Sequence, residues 1–297
     1  MHRFTSAPRL RRLSAVIVAV ALVFSISGCA QQAAAPAPAQ KPATSDVVLA
    51  STTSTQDSGL FDVLIPAFEK DNPQYKVKVI AVGSGQAIKM GQTKDADVLL
   101  VHSPAAEIKL IADGFATTRT PVMHNDFVLV GPKTDPAGVK ASKNTTEAMT
   151  ALQSAGKAGK ALFITRGDAS GTNAKELTLW AKSGITTPTP AADKWYLSTG
   201  QGMGETLKVT DEKAAYTLAD RATWLSAAAS LPGLEIVFEK DKAMLNPYTV
   251  IVVPDSKNQA GGQAFADWIL SPAGQKVIAE FGVAKYGQQL FIPDATK

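Results

Sequence analysis

The order of apolar runs predicts an α/β protein of two lobes joined by two crossing strands, with a ligand cleft between them. Three observations carry this. Short apolar runs alternate with stretches of helical spacing from residue 46 onward. The same alternation restarts after residue 160. Two apolar runs, 127–131 and 248–253, lie far apart in the chain and bracket that restart. Each follows a polar pair, Asn125-Asp126 and Asn246-Pro247. Strands that cross between lobes make a hinge, and hinged lobes enclose a cleft.

The elements follow in order. Residues 46–50 (DVVLA) read as a buried strand that ends in a loop of hydroxyl residues. Leu60, Phe61, Leu64, Ile65 and Phe68 give 60–71 the spacing of a helix. A second strand is expected at 75–82, a short helix at 86–91, a third strand at 97–101 and a helix at 105–113 that Gly114 ends. This strand–helix alternation favours a parallel sheet. In the inserted lobe a strand is expected at 161–165, a helix at 173–183, then a Gly-rich loop and a strand-like run at 215–218. Two helices, 260–270 and 272–281, close the chain. The lobe boundaries expected are 46–124 plus 247–297 for the first lobe and 125–246 for the second.

The first 45 residues read differently. Residues 1–28 carry Arg3, Arg9, Arg11 and Arg12, then an apolar run too short to span a bilayer, then small residues, which is the design of an export signal. Ile26-Ser27-Gly28-Cys29 resembles a bacterial lipobox and marks Cys29, the single cysteine, as a lipid attachment point. Residues 29–45 are rich in Ala and Pro and offer no apolar anchor, so they are expected to be an extended tether. At about 3.1 Å per residue such a tether reaches roughly 45 Å. The expected location is therefore extracytoplasmic, anchored to a membrane at Cys29. No disulfide framework is possible with one cysteine.

Of 297 residues, 45% are hydrophobic, and the net charge of +4 comes from those four N-terminal arginines. From Cys29 onward 26 basic residues face 26 acidic ones. A neutral domain has no field to hold DNA or RNA, so nucleic acid is excluded as a partner.

The candidate chemistry lies in three segments of one design: a strand end, small hydroxyl or glycine residues, and a helix start. They are Ser51-Thr52-Thr53-Ser54-Thr55, Gly83-Ser84-Gly85-Gln86 and Ala169-Ser170-Gly171-Thr172. Free N–H groups and the helix dipole make such ends suited to anions. Ordinary N-capping by Ser and Thr is the alternative for any one of them. The third is the most specific, because Arg166-Gly167-Asp168 leads into it. Arg166 offers a planar fork of donors to an oxyanion, and Asp168 stands where it can orient that fork. A plain surface ion pair is the alternative.

The run Arg166 to Thr172 has the R-x-D-x-S-G-T pattern of periplasmic oxyanion-binding proteins. Together with STTSTQDSGLFD, ADVLLVHSPAAE, GQGMGETL and AYTLADRATW, it resembles the tungstate-binding lipoproteins of Tup-type ABC importers. The resemblance spans residues 47–291 with the motifs in family order. It implies a type II periplasmic-binding-protein fold and a tungstate or molybdate ligand. It also implies an ABC permease and its ATPase as partners, and it places Thr53, Ser54, Ser84, Arg166, Ser170 and Thr172 around the anion. Two positions depart from the family pattern, Ser51 in the threonine run and Ala219 before Asp220-Arg221. A monomer without cofactor or metal cation is expected.

Phosphate and sulfate are the rival ligands. Phosphate keeps a proton at neutral pH and needs an acceptor, whereas tungstate, molybdate and sulfate carry none. The turn His102-Ser103-Pro104 brings no acid before Glu107, which favours a fully ionised anion, with Asp57 and Asp126 left as carboxylates that could reach the cleft. A cleft enzyme on the same fold is the other class. It would need a base or metal cluster, and His102 and His124 alone make a poor one. The reach of His102, Met203 and Arg221 toward the ligand stays open, as does the choice between tungstate and molybdate.

Overall fold

The computed structural model describes residues 44–295. The export signal at 1–28, Cys29 and nearly all of the tether lie outside the described residues. β1 (Ser45–Thr52) takes in Ser45, the last residue assigned to the tether.

The first lobe is built on β1, α1 (Thr53–Asp57), α2 (Phe61–Asp71), β2 (Tyr75–Val82), α3 (Ser84–Thr93), β3 (Val98–Val101) and α4 (Pro104–Ala112). β1 pairs in parallel with β2 on one side and β3 on the other. β2 is the outer strand. Its sequence YKVKVIAV alternates, with Lys76 and Lys78 turned to solvent, which protects an open sheet edge from pairing with another chain. β3 is buried along its whole length, as a strand covered on both faces must be.

β4 (Thr120–Pro132) runs through both lobes. Its first half lies in the first sheet, and its second half begins a new one. The second lobe continues with α5 (Thr145–Lys157), β5 (Phe163–Thr165), α6 (Gly171–Lys182), β6 (Tyr196–Ser198), α7 (Met203–Glu212), β7 (Thr217–Asp220), α8 (Arg221–Ala227) and β8 (Leu234–Phe238). β7 and β8 flank the far half of β4, both antiparallel. β9 (Leu245–Val252) returns the chain to the first sheet, between β3 and β4. α9 (Gln259–Leu270), α10 (Pro272–Glu280), α11 (Val283–Tyr286) and β10 (Ile292–Pro293) complete it, with β10 on the outer side of β4.

The expected parallel sheet is thus parallel only across β2, β1 and β3. β9 lies antiparallel to β3 and to β4, because it re-enters from the second lobe. The change of sheet falls between Asp126, paired with Leu245, and Phe127, paired with Asp220. Apolar clusters sit separately in the lobes: Leu49, Phe68, Val98 and Phe265 in the first, Phe127, Phe163, Trp180 and Tyr216 in the second.

Other expectations need adjustment. No loop separates the first strand from a helix, since α1 starts at Thr53 directly after β1. The strand expected at 127–131 is the second half of a 13-residue strand. The Gly-rich loop leads directly into α7. α5, α8 and β8 lie where no element was expected.

Candidate functional site

The three strand–helix junctions converge at the interface of the lobes. Thr52 caps α1, its side-chain oxygen accepting the Thr55 N–H at 3.3 Å. Gly83 is the cap residue of α3, so Ser84 opens that helix and is fully buried. β5 ends at Thr165 and places Arg166, 2% exposed, at the start of the third turn. Gly167 follows with φ +62°, and a Cβ there would lie 1.9 Å from Ser198 Oγ, so the turn needs glycine. Ser170 then caps α6 by accepting the Asn173 N–H at 3.1 Å.

Arg166 reaches across the interface. Its Nη1 donates to Ser54 Oγ at 3.3 Å and its Nη2 to Thr53 Oγ1 at 3.1 Å, both on α1 of the other lobe. Nη2 also donates to Asp168 Oδ2 at 2.6 Å, so Asp168 does orient the fork. The backbone closes the same gap: Gly85 N–H donates to Ala169 O at 2.7 Å. A cavity of about 340 Å³ lies here, bordered by Thr53, Gly83, Gln86, Arg166, Asp168 and Gly202.

Several donors at this junction have no protein partner. Ser84 Oγ, Thr172 Oγ1 and Arg166 Nε are buried and unpaired, as is the acceptor Asp168 Oδ1. Leaving buried polar atoms unpaired costs about 1–3 kcal/mol each, and an oxyanion would satisfy the three donors. Three of the six expected site residues, Ser84, Arg166 and Thr172, therefore keep an unpaired donor at this junction. The oxygens of Thr53, Ser54 and Ser170 each accept a bond already, from Arg166 or from the Asn173 N–H, and each hydroxyl keeps its O–H to donate.

The residues left open take definite places. His102 is buried, with Nε2 against Thr52 Oγ1 at 3.2 Å and Nδ1 against Asn246 Oδ1 at 3.0 Å. Burial drives its pKa down to about 3, so it is a neutral imidazole with both nitrogens engaged. Met203 is buried in the apolar core of the second lobe. Arg221 is clamped at the hinge by Asp126, at 2.7 and 2.6 Å, and by Glu239 at 2.7 Å. A larger cavity of about 590 Å³ opens beside it, but its arginine is already neutralised by two carboxylates. Asp126 is thus spent at the hinge. His124 pairs with Asp294 at 2.8 Å.

Asp57 is the residue whose position sequence reasoning did not resolve. Its Oδ2 accepts the Gly204 N–H of α7 at 3.3 Å, carrying a carboxylate from the first lobe to a helix start of the second. Desolvation raises its pKa above the ordinary Asp value. The run GQGMGETL marked this helix start, and its partner came from 147 residues away. Among the described residues no group of three or more His, Cys, Asp or Glu side chains could hold a metal ion.

Residues 37–273 match the model of the PBP superfamily domain. The tungstate-binding protein TupA of Peptoclostridium acidaminophilum is 47% identical over 294 residues, covering 97% of this chain and all of that one. The protein of the same name from Campylobacter jejuni is 38% identical, covering 82% of this chain and 88% of its own length. Among solved structures, the tungstate ABC transporter protein from Geobacter sulfurreducens superposes with a TM-score of 0.71 at 43% identity, over 80% of this chain and 100% of that one. TupA from Desulfovibrio alaskensis G20 does so with 0.68 at 42% identity, over 84% and 99%. The chain belongs to the PBP superfamily and, within it, to the family of the tungstate-binding protein TupA.

Proposed function

We propose that this chain is the substrate-binding component of an ABC importer, capturing a tetrahedral oxyanion, tungstate or molybdate, and delivering it to the permease and its ATPase. The observation that carries the reading is Arg166, a buried guanidinium of the second lobe that donates to the Thr53 and Ser54 hydroxyls of the first, at a junction where the Ser84 and Thr172 hydroxyls are buried and unpaired. Thr53, Ser54, Ser84, Arg166, Ser170 and Thr172 are the proposed oxyanion ligands. Burial strengthens such charge-assisted bonds, because water no longer competes for them. The names of the relatives support tungstate in particular.

One observation favours phosphate as a second reading. Asp168 Oδ1 is an unpaired acceptor at the cleft, and a monoprotonated phosphate would donate to it. A fully ionised anion would be repelled at that edge and held on the donor side. We read the chain as a binding protein, since His102 has both nitrogens engaged and the relatives are by name a tungstate-binding protein and a tungstate ABC transporter.

The domain is read as extracytoplasmic and monomeric, held to the membrane by lipid on Cys29 through the 29–45 tether. Among the described residues no helix is long and apolar enough to cross a membrane. Lobe boundaries at 124/125 and 246/247 are proposed as the hinge, the first of them two residues from the switch of sheets in β4.

Calorimetric titration with tungstate, molybdate, sulfate and phosphate tests the ligand. Tungstate or molybdate should bind at least about a hundredfold more tightly than phosphate, a difference of about 2.7 kcal/mol. Phosphate binding as tightly as tungstate would transfer the assignment to phosphate.

A further inference from the structure

Behind the anion junction a chain of buried side chains links α1 to both crossing strands. Thr55 Oγ1 and Thr52 Oγ1 are 2.8 Å apart, and Thr52 Oγ1 meets His102 Nε2 at 3.2 Å. His102 Nδ1 meets Asn246 Oδ1 on β9 at 3.0 Å. Asn246 Nδ2 donates to Asn125 Oδ1 on β4 at 2.7 Å and to Tyr248 OH at 3.2 Å. Asn125 Nδ2 donates to Asp220 Oδ1 at 3.4 Å. Asp220 also accepts the Thr223 N–H at 2.9 Å, and Thr223 Oγ1 donates to Ser54 O at 3.0 Å, returning the chain to α1.

Counting donors gives this chain one direction. Asp220 only accepts, so Asn125 must turn its NH₂ toward it and its oxygen toward Asn246. Asn246 then spends both amide hydrogens on Asn125 and Tyr248, leaving its oxygen for His102. His102 must therefore carry its proton on Nδ1, and Nε2 must accept the hydroxyl hydrogen of Thr52. Thr52, having donated, can only accept from Thr55, which is the cap that holds α1. The opposite direction is just as consistent internally: both amides flip and the imidazole proton moves to Nε2. Only the acceptor at the far end excludes it.

We propose that Asp220 is a positioning residue for oxyanion capture: as the terminal acceptor it fixes the direction of the relay through Asn125, Asn246 and His102, and so holds the Thr53–Ser54 turn that grips Arg166. The relay rests on the oxyanion reading for its purpose but not for its existence. Asp220 touches neither Arg166 nor the cleft, and its effect passes entirely through the hydroxyl turn. The titratable groups facing it are Asp57 from α1 and Tyr248 from β9. Its chain neighbour Arg221 is held by Asp126 and Glu239.

The test uses Asp220→Ser, which keeps an N-cap oxygen for Thr223 but is too short to serve Asn125, and Asp220→Asn, which keeps an acceptor at Oδ1. Nitrogen-15 NMR of histidine-labelled protein reads the His102 tautomer without any ligand. Wild type and Asp220→Asn should show the Nδ1–H form alone, and Asp220→Ser a mixture with the Nε2–H form. Tungstate titration should give at least about a fivefold loss of affinity for Asp220→Ser and a smaller loss for Asp220→Asn, about 1 kcal/mol for the former. Should Asp220→Ser fail to fold, Thr52→Val removes the last donor of the relay and should cost a similar factor. A purely Nδ1–H imidazole in folded Asp220→Ser, or binding within twofold of wild type by either Asp220→Ser or Thr52→Val, overturns the proposal. If wild type itself binds no tungstate, the ligand reading fails while the tautomer result still decides the relay.

Discussion

Gly85 on α3 donates its backbone N–H to the carbonyl of Ala169 at 2.7 Å, so the two lobes are joined backbone to backbone beside the arginine turn. A Cβ at Gly85 would lie 2.8 Å from Ala169 Cβ and 3.0 Å from Ala169 O, neither of which is the end of a flexible chain. Gly85→Ala should therefore wedge the lobes apart. Overpacking of this kind costs about 1–3 kcal/mol, which predicts tungstate affinity weaker by roughly fivefold to a hundredfold or more. α3 itself should not suffer, since Ala favours a helix over Gly by about 1 kcal/mol. Calorimetry and thermal unfolding together check this: affinity falls while the melting temperature of the free protein holds or rises.

Ser84→Ala separates binding from stability in the same way. Its hydroxyl is buried without a partner, so removing it relieves the free protein of an unpaired polar group. The variant should be as stable as wild type or more so, yet bind tungstate more weakly by about 1 kcal/mol, the value of one neutral donor. Equal affinity in the two proteins would remove Ser84 from the site.

Some of this architecture was legible in the sequence and some was not, for identifiable reasons. β2 was placed to the residue because an edge strand must alternate, and YKVKVIAV does. The first half of β4 was not, because Pro121, His124, Asn125 and Asp126 break any apolar pattern; those residues are strand only through pairing with β9 and β10. The direction of β9 depends on where the chain returns from the second lobe, which no local run encodes. α1 was hidden because Thr and Ser are weak helix formers, and it is held by its cap and by Arg166. The arginine turn was legible as chemistry: strand, Arg-Gly-Asp, cap, helix. Its partners Thr53 and Ser54 lie 113 and 112 residues away, and only the fold brings them together.

The anchor makes a prediction independent of the fold. Replacing Cys29 with Ser removes the single cysteine of the chain, the proposed site of lipid attachment. Wild type should fractionate with membranes and Cys29→Ser should not, because one acylated cysteine is the only proposed attachment. Identical partitioning of the two forms would sink the anchor.

Glu176 predicts a pH dependence. It is fully enclosed, accepting from Tyr196 OH at 2.6 Å, Trp180 Nε1 at 2.8 Å and Thr165 Oγ1 at 2.6 Å. Burial pushes its pKa up from 4.5 to about 7 in spite of those bonds. Between those values the folded protein keeps a proton that the unfolded chain has released. Its contribution to stability therefore falls as pH rises through that window, by up to about 1.4 kcal/mol per pH unit. Asp220, raised to about 6, acts in the same direction. His102, lowered to about 3, acts oppositely, since the unfolded imidazole takes up a proton below 6.5 and the folded one does not. Glu176→Gln isolates the first effect. Urea unfolding across the interval should give a smaller loss of stability with rising pH in Glu176→Gln than in wild type, and parallel curves would refute it.

Arg166 should contribute the largest single share of affinity. It is 2% exposed, it bonds to Thr53 and Ser54 of the opposite lobe, and its Nε–H is unpaired. A bidentate fork supplies two charge-assisted bonds of about 1.5–3 kcal/mol each. Arg166→Gln also strands Asp168, whose Oδ2 loses its 2.6 Å partner, and breaking a buried pair costs about 3–5 kcal/mol. The expected loss is on the order of a hundredfold to a few thousandfold in dissociation constant. Arg166→Lys keeps the charge and the attraction to Asp168 but loses the planar fork, so it should fall between wild type and Arg166→Gln. Because the same fork ties the lobes together, both variants should also show a larger radius of gyration in solution scattering than wild type. Titration with tungstate, with folding checked by circular dichroism, decides the matter: a folded Arg166→Gln that binds within about threefold of wild type, less than 1 kcal/mol, places the anion somewhere other than this junction.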